Sequence, residues 1–393
     1  MPLAHIECVG PDVYWVGTID WSVRVFHGYH TDEGSSYNSY LLMDDEITLI
    51  DTVHVRFATE FLERISQVTP LSSIKYLIMN HAENDHSSAL PATLAALPNV
   101  TLVTNKTCFE HLSLLYPVIK SYPHLIVSGS TPLKLKTHSL VFVPVPLLHW
   151  PDSMFTYCPE SKILFSNDGF GQHIACSERF TDQFKSIDHI IKLMREYNAN
   201  ILGPFQQQLG IALQVAGTIQ IDYILTAHGL SWRGADIGRA LTEYVNFASN
   251  KQITKKMTII FQSINGSVKN TAMLIANEAN ILVQLIDLDR TDLTKCALHA
   301  YDSEYLAIGS PTIHGQITPQ VEAAAHYLKG LKLIKGRKVY LFGSFCWNDK
   351  AVNDLVDIVE SAGGTVIGQH SYKLKLNNAD IQKISTDIKK LVI

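Results

Sequence analysis

The rhythm of apolar and polar positions changes once along this chain. From Val13 to about His228, short runs rich in β-branched and aromatic residues alternate with stretches of helical period. YWVGTI, SYLLMDDEITLIDTV, KYLIMN, VTLVTN, LVFVPVPLL, KILFSND and DYILTAH read as strands, since such runs suit a pleated, half-buried surface. Phe57–Gln67, Ile187–Tyr197 and Ile237–Phe247 place apolar residues three and four apart and read as helices buried along one face. From Lys256 the alternation becomes regular. MTIIF, ILVQLIDL, YLAIG, KVYLFG and TVIGQ are each followed by a helical segment, which predicts a doubly wound parallel sheet. The polar stretch from Ser249 to Lys256 separates the two textures. A first domain over residues 1–250 and a second over 255–393 are therefore expected.

Length and composition agree. A chain of 393 residues exceeds what one apolar core usually organises. With 46% apolar and 18% charged residues it is not intrinsically disordered. The 32 basic and 37 acidic residues leave −5, which reads as mild and evenly spread, so neither a nucleic-acid nor a membrane partner is expected. No run reaches the roughly 20 apolar residues of a membrane span. The opening MPLAHIECVG carries no basic cluster ahead of an apolar core, and a cytoplasmic enzyme is expected. The six cysteines form no Cys-x-x-Cys pair, which removes a rubredoxin-like iron site, a zinc ribbon and a thioredoxin motif. The 17 histidines stand out, because imidazole is the commonest transition-metal ligand.

Their positions give the excess a meaning. HAENDH, residues 81–86, follows the apolar run IKYLIMN. His149 ends VFVPVPLLH, Asp168 ends ILFSND and His228 ends YILTAH. One strand-end histidine is ordinarily a loop polar residue. Four runs that each finish in a metal-competent residue, one holding four such residues in six positions, are a site. In layered α/β folds, ligands gather beyond the carboxyl ends of strands. The set is His81, Glu83, Asp85, His86, His149, Asp168 and His228. Four imidazoles and three carboxylates suit two metals, with a carboxylate such as Asp168 between them. A zinc hydrolase would be more histidine-rich, whereas oxygen ligands beside imidazole favour iron or manganese. A non-haem di-iron centre is expected. Asp51, closing ITLID, reads as a structural hydrogen-bonding residue.

The second half offers three loops after strands: QSINGSVKNTA, SPTIHGQITP and SFCWNDKAV. Small, hydroxyl and glycine residues let backbone N–H groups wrap a phosphate at a helix start. Neither G-x-G-x-x-G nor a Walker loop is present, so dinucleotides and triphosphates are disfavoured. Phe345 and Trp347 sit where a flavin ring can stack. Three such loops can hold a flavin mononucleotide.

Together H-x-E-x-D-H, His-Trp-Pro-Asp-Ser, Asn-Asp-Gly, Ala-His-Gly and FHGYHTDEGSSYNSYLL resemble the flavodiiron proteins over nearly the whole chain. That resemblance implies a metallo-β-lactamase-like αββα sandwich followed by a flavodoxin-like sheet. It implies FMN and two Fe per chain, with the seven residues above as iron ligands and with Ser263, Asn265, Gly266, Ser267, Val268, Ser310, Pro311, Thr312, Ile313, Ser344, Phe345, Cys346 and Trp347 as flavin contacts. His27 would lie beside the site and Tyr197 would donate a hydrogen bond near it. A head-to-tail homodimer is implied, with Trp150 near the flavin of the other subunit and paired dimers, a tetramer, left open. The chain departs from the family at His314-Gly315-Gln316, at Cys346 and at Asp349, where glycine or an Asn-Asn-Gly-like stretch is usual.

Electron counting joins the two sites. Reducing O₂ to two waters takes four electrons, two from a di-ferrous pair and two from reduced flavin. O₂ reduction is the expected function, with reduction of NO to N₂O as a second activity. The electron donor would be external, a rubredoxin-like protein or a flavin reductase. The alternative is a binuclear zinc hydrolase fused to a flavodoxin-like module. A third reading is an electron-transfer protein with a vestigial metal pocket.

Overall fold

A computed structural model describes residues 7–129 and 131–391. The first six residues, which bear on the expected lack of a leader, lie outside them. The chain divides into two units: Met1–Tyr197 with Phe205–Ser249, and Asn198–Pro204 with Asn250–Ile393.

In the first unit the alternating runs become two sheets. One holds seven strands, in the order Glu7–Gly10, Val13–Trp15, Tyr40–Leu42, Ile47–Ile50, Ile74–Ile78, Thr101–Asn105, His124–Val127. The other holds six: Leu133–Lys134, Ser139–Pro144, Met154–Cys158, Ile163–Asn167, Tyr223–Thr226 and Trp232–Arg233. Their inner faces meet in one apolar layer, where Val13, Leu42, Ile50 and Val103 pack with Phe142, Met154, Phe165 and Leu225. Helices Ala58–Val68 and Lys106–Leu115 cover the outer face of the first sheet through Phe61, Ile65 and Leu112. Phe61 and Ile65 are four apart, one helical turn, and so share a face. In Ile187–Tyr197 and Ala235–Ala248, Ile190, Met194, Tyr244 and Phe247 are buried in the same way. This is the expected αββα sandwich.

Two local expectations differ. Met154–Cys158 is a strand buried throughout and was not among the runs named as strands. The run ending at His149 stops being a strand at Pro144. Pro144 and Pro146 have no N–H to continue a ladder. The chain instead folds on itself, with Leu147 N–H donating to the Trp150 carbonyl (2.7 Å) and Leu148 N–H to that of Val145 (3.0 Å). His149 therefore reaches the site from a loop.

In the second unit five strands lie in the order Leu282–Asp287, Thr254–Phe261, Ser303–Pro311, Lys338–Phe345, Thr365–Lys373, and every neighbouring pair is parallel. This is the doubly wound, flavodoxin-like order 2-1-3-4-5. Phe261 pairs with Asp287 and Gly309, Pro311 with Ser344, and Phe345 with Lys373. The loops that follow these strands therefore share one end of the sheet. Asn198–Pro204 also belongs to this unit. Tyr327 Oη donates to Asn200 Oδ1 (2.8 Å) and Lys332 Nζ to the Pro204 carbonyl (2.8 Å).

Candidate metal centre and flavin loops

Three strands deliver ligand-type residues just past their carboxyl ends. Ile74–Ile78 leads to His81, Ile163–Asn167 to Asp168, and Tyr223–Thr226 to His228. Asp51, after Ile47–Ile50, ties two of these ends together. It accepts from Asn80 N–H (2.7 Å), Asn80 Nδ2 (3.0 Å) and Asn167 Nδ2 (3.3 Å), the residues directly before His81 and Asp168. Its structural reading fits these contacts. Asp51→Ala leaves those buried donors without an acceptor. We expect a loss of about 3 kcal/mol in denaturant unfolding, and a loss near zero would contradict the role.

Asp168 stands between two groups of side chains. Its Oδ2 faces His81 Nε2 (3.6 Å) and His149 Nε2 (3.5 Å), and both imidazoles also face Glu83 Oε2, at 3.3 and 3.1 Å. Its Oδ1 faces His86 Nε2 (3.1 Å) and His228 Nε2 (3.3 Å), and both also face Asp85 Oδ2 at 3.1 Å. All seven expected residues are brought together. Both oxygens of Asp85, Oδ2 of Asp168 and Nε2 of His228 are buried with no hydrogen-bond partner. Buried carboxylates without donors are costly unless a cation meets them. His81, Glu83, His149 and Asp168 offer ligand atoms close enough to share one ion, as do His86, Asp168 and His228, while Asp85 groups with His228 and His27; the nitrogen and oxygen donors fit two irons.

The outer nitrogens are set. His228 Nδ1 lies 2.7 Å from the Ser36 carbonyl, which can only accept, so Nδ1 carries the proton and Nε2 faces inward. His81 Nδ1 meets Asp152 Oδ2 at 3.0 Å, and that oxygen also accepts the Ala82 N–H at 2.8 Å. Asp152 went unassigned in the sequence reading, although it lies inside His-Trp-Pro-Asp-Ser; a carboxylate two residues past Trp150 was the available signal.

Electrostatics in the metal-free site follow from these contacts. Burial pushes the imidazoles toward neutrality, but the facing carboxylates of Asp168, Glu83 and Asp85 reverse it. His149 is raised to about 9 and His228 to about 10, and His81 and His86 are raised too. Burial would raise Glu83, Asp85 and Asp168, yet the histidines hold all three below the usual carboxylate range. A metal must therefore displace protons. At pH 7, ferrous iron uptake should release about four protons per chain, and affinity should rise with pH until His149 and His228 deprotonate. An indicator dye in weak buffer reads this directly; iron uptake without acidification would contradict the charge pattern.

His27 occupies the tip of a hairpin between Val25–Phe26 and Tyr29–His30. His27 and Gly28 have φ of +50° and +81°, the pairing a two-residue turn needs. The side chain, 13% exposed, turns inward so that Nδ1 lies 2.7 Å from Glu83 Oε1. Tyr197 is buried with its ring 5.3 Å from that of His173 and 6.4 Å from that of His228. It packs beside the site. His173 was not singled out in the sequence. Its Nδ1 lies 2.7 Å from Ser35 Oγ, and its ring is 4.8 Å from that of His228. Burial and neighbouring His228 hold it well below its ordinary value, hence neutral. Half-buried Trp150 stands edge-on to His81, centroids 5.2 Å apart.

In the second unit, Asn265 and Gly266 take φ of +55° and +77° immediately before helix Ser267–Glu278. Ser263 Oγ accepts the Lys269 N–H at 3.0 Å, which closes the loop over the helix start. Ser267 Oγ meets Tyr372 Oη at 3.2 Å, and Val268 is buried. Backbone N–H groups at this helix start can hold a phosphate. Strand Ser303–Pro311 continues through Ser310 and Pro311, which the sequence places in a loop. Ser310 Oγ is buried, donates to the Pro311 carbonyl and accepts the Thr318 N–H. Its side chain is thereby used within the fold. Thr312 N–H donates to the Ser344 carbonyl (2.8 Å), and Ile313 and Gln316 exchange backbone bonds around His314 and Gly315, both at positive φ. Ser344 and Phe345 end strand Lys338–Phe345, Cys346 is exposed and Trp347 is 80% exposed. Asp349 accepts from Ser371 Oγ at 2.5 Å.

The chain is similar in sequence and fold to known proteins. A family profile described as "ODP family beta lactamase" matches residues 36–229. A nitric oxide reductase of Moorella thermoacetica is 36% identical over 360 residues, 89% of this chain and 88% of that one. The crystal structure of the flavodiiron protein from Giardia intestinalis is similar at TM-score 0.96 and 44% identity, covering 99% of this chain and 96% of that one. The rubredoxin oxygen:oxidoreductase from Desulfovibrio gigas is similar at TM-score 0.94 and 30% identity, with 99% and 98% covered.

Proposed function

Because the chain belongs to the flavodiiron protein family, we propose that it reduces O₂ to water, with NO reduction to N₂O as a second activity. His81, Glu83, His149 and Asp168 would hold one iron, and Asp85, His86, His228 and Asp168 the other. The three loops of the second unit would hold FMN, which would supply electron-relay chemistry there. The reading rests above all on the division of Asp168, whose two oxygens serve two separate groups of imidazoles. When bound, the two irons and FMN supply four electrons, the number O₂ needs to become two waters, while coupling two NO takes two.

The chain's own residues shape that chemistry. Asp168, Glu83 and Asp85 offset metal charge in a buried site, and the Ser36 carbonyl and Asp152 orient His228 and His81 from behind. His27 holds the outer oxygen of Glu83. Phe26 stands edge-on to His173 and His228, centroids 4.9 and 5.6 Å away, and limits water there. A binuclear zinc hydrolase is disfavoured, since two of the relatives above are named a nitric oxide reductase and a rubredoxin oxygen:oxidoreductase.

Charge bears on the donor. The second unit has 17 Lys and Arg against 13 Asp and Glu, hence +4; the first has 15 against 24, hence −9. The charge is thus not evenly spread, contrary to expectation. Lys269, Lys373 and Lys375 are exposed near the flavin loops, so a small rubredoxin-like donor with an acidic surface fits better than a basic one. The proposal includes a cytoplasmic, head-to-tail homodimer that places Trp150 near the flavin of the other subunit. Sedimentation decides between dimer and tetramer. No described helix is long and apolar enough to cross a membrane.

The test is anaerobic reduction followed by mixing with O₂ or NO. About one O₂ per chain should disappear with no peroxide. Peroxide as the main product, or no consumption of either gas, would defeat the proposal.

A further inference from the structure

Asp152 has a second oxygen, and the group that meets it lies on a helix outside the metal centre. Helix Lys106–Leu115 starts at Asn105, whose Oδ1 accepts the Cys108 N–H (2.9 Å) and whose Nδ2 donates to the Asp152 carbonyl (2.7 Å). One side chain thus caps the helix and docks it against the Asp152 loop. His111, less than two turns further on, is thereby set beside that loop. Its Nδ1 lies 3.1 Å from Asp152 Oδ1, while Oδ2 takes His81 Nδ1 and the Ala82 N–H. The Ala82 N–H can only donate, so Oδ2 is an acceptor, and each oxygen of Asp152 faces an imidazole Nδ1. An ionised carboxylate only accepts. His111 Nδ1 therefore carries a proton, and the order is His111 to Asp152 to His81 to the metal-facing Nε2. Asp152 is 1% exposed, whereas the His111 side chain is 32% exposed. The row runs from solvent to the centre.

We propose that His111 is a positioning residue of the metal centre: its donation to Oδ1 of Asp152 sets how strongly that carboxylate draws on the Nδ1 proton of His81, and so how much electron density His81 Nε2 offers the metal. The proposal rests on the reading of His81 as an iron ligand. A carboxylate's acceptor strength is shared among its donors, and away from water the sharing is not screened. Partners behind a ligating histidine tune its basicity in the same way. Without His111, Oδ2 still holds two donors, so Asp152 keeps its place while its charge is less divided. His81 then becomes the stronger donor and the oxidised metal is favoured.

Two variants separate this from packing. His111→Phe keeps a ring and removes the donor; His111→Asn keeps a donor where Nδ1 stood. In full-length protein carrying iron and FMN, the di-iron midpoint potentials are titrated, with the flavin potential as internal control. His111→Phe should lower the iron potentials, leave the flavin potential and iron content unchanged, and His111→Asn should return them toward wild type. Equal potentials in wild type and His111→Phe would overturn the proposal, as would equal shifts in both variants. Should His111→Phe fold poorly, His111→Leu replaces it. Should wild type take up no iron, the functional reading fails, and NMR of the metal-free protein still decides the role of His111. The His81 Nδ1 proton should move downfield in His111→Phe; no movement overturns the proposal.

Discussion

Replacing Asp168 with Ala should empty both halves of the centre at once. Iron should fall from about two per chain to well under one, and consumption of O₂ and NO should fall at least ~100-fold. FMN should stay bound. One carboxylate has this reach because Oδ2 serves His81 and His149 while Oδ1 serves His86 and His228. Losing it leaves four buried histidines facing only Glu83 and Asp85, too little charge for two cations. Asp85→Ala is the contrasting case. Asp85 faces His86 and His228, with His27 also in reach, so that variant should lose one iron and keep the other. Elemental analysis with a visible spectrum reads both results. If FMN fell in parallel with iron in Asp168→Ala, the two units would not be independent binding bodies.

Gly266→Val should do the reverse, weakening FMN about tenfold to a hundredfold while sparing iron. Gly266 has φ of +77°, which a β-branched residue adopts only at a cost of about 1–3 kcal/mol. A Cβ there meets nothing within 4 Å. The penalty is therefore in the backbone, and the loop should shift rather than the fold fail. That loop leads straight into helix Ser267–Glu278, whose first N–H groups hold the phosphate in our reading. Fluorescence titration of flavin-free protein measures the change. Unaltered FMN affinity would move the phosphate elsewhere.

What the sequence made legible follows from what is local. His81, Asp168 and His228 were readable because each follows directly on a strand whose apolar run is visible. The parallel sheet was readable because its five strand–helix units repeat. Contacts made across the fold leave no such trace. Asp152 meets His81 from 71 positions away, and His228 is oriented by a carbonyl 192 positions earlier. His149 was placed on a strand because VFVPVPLLH is apolar throughout, although its prolines interrupt the ladder. Ser310 was placed in a loop, whereas its strand runs on through Pro311 and its hydroxyl closes the turn to Thr318. Asn198–Pro204 gave no sign that it would group with the second unit, since its partners Tyr327 and Lys332 lie more than a hundred positions later.

Anomalous scattering at the iron edge, from crystals of protein grown with ample iron, tests the central claim most directly. Two peaks should appear, roughly 3.5–4 Å apart. One should lie among His81, Glu83 and His149, the other among Asp85, His86 and His228, with Asp168 touching both. A single peak, or a signal at the zinc edge alone, would contradict the account.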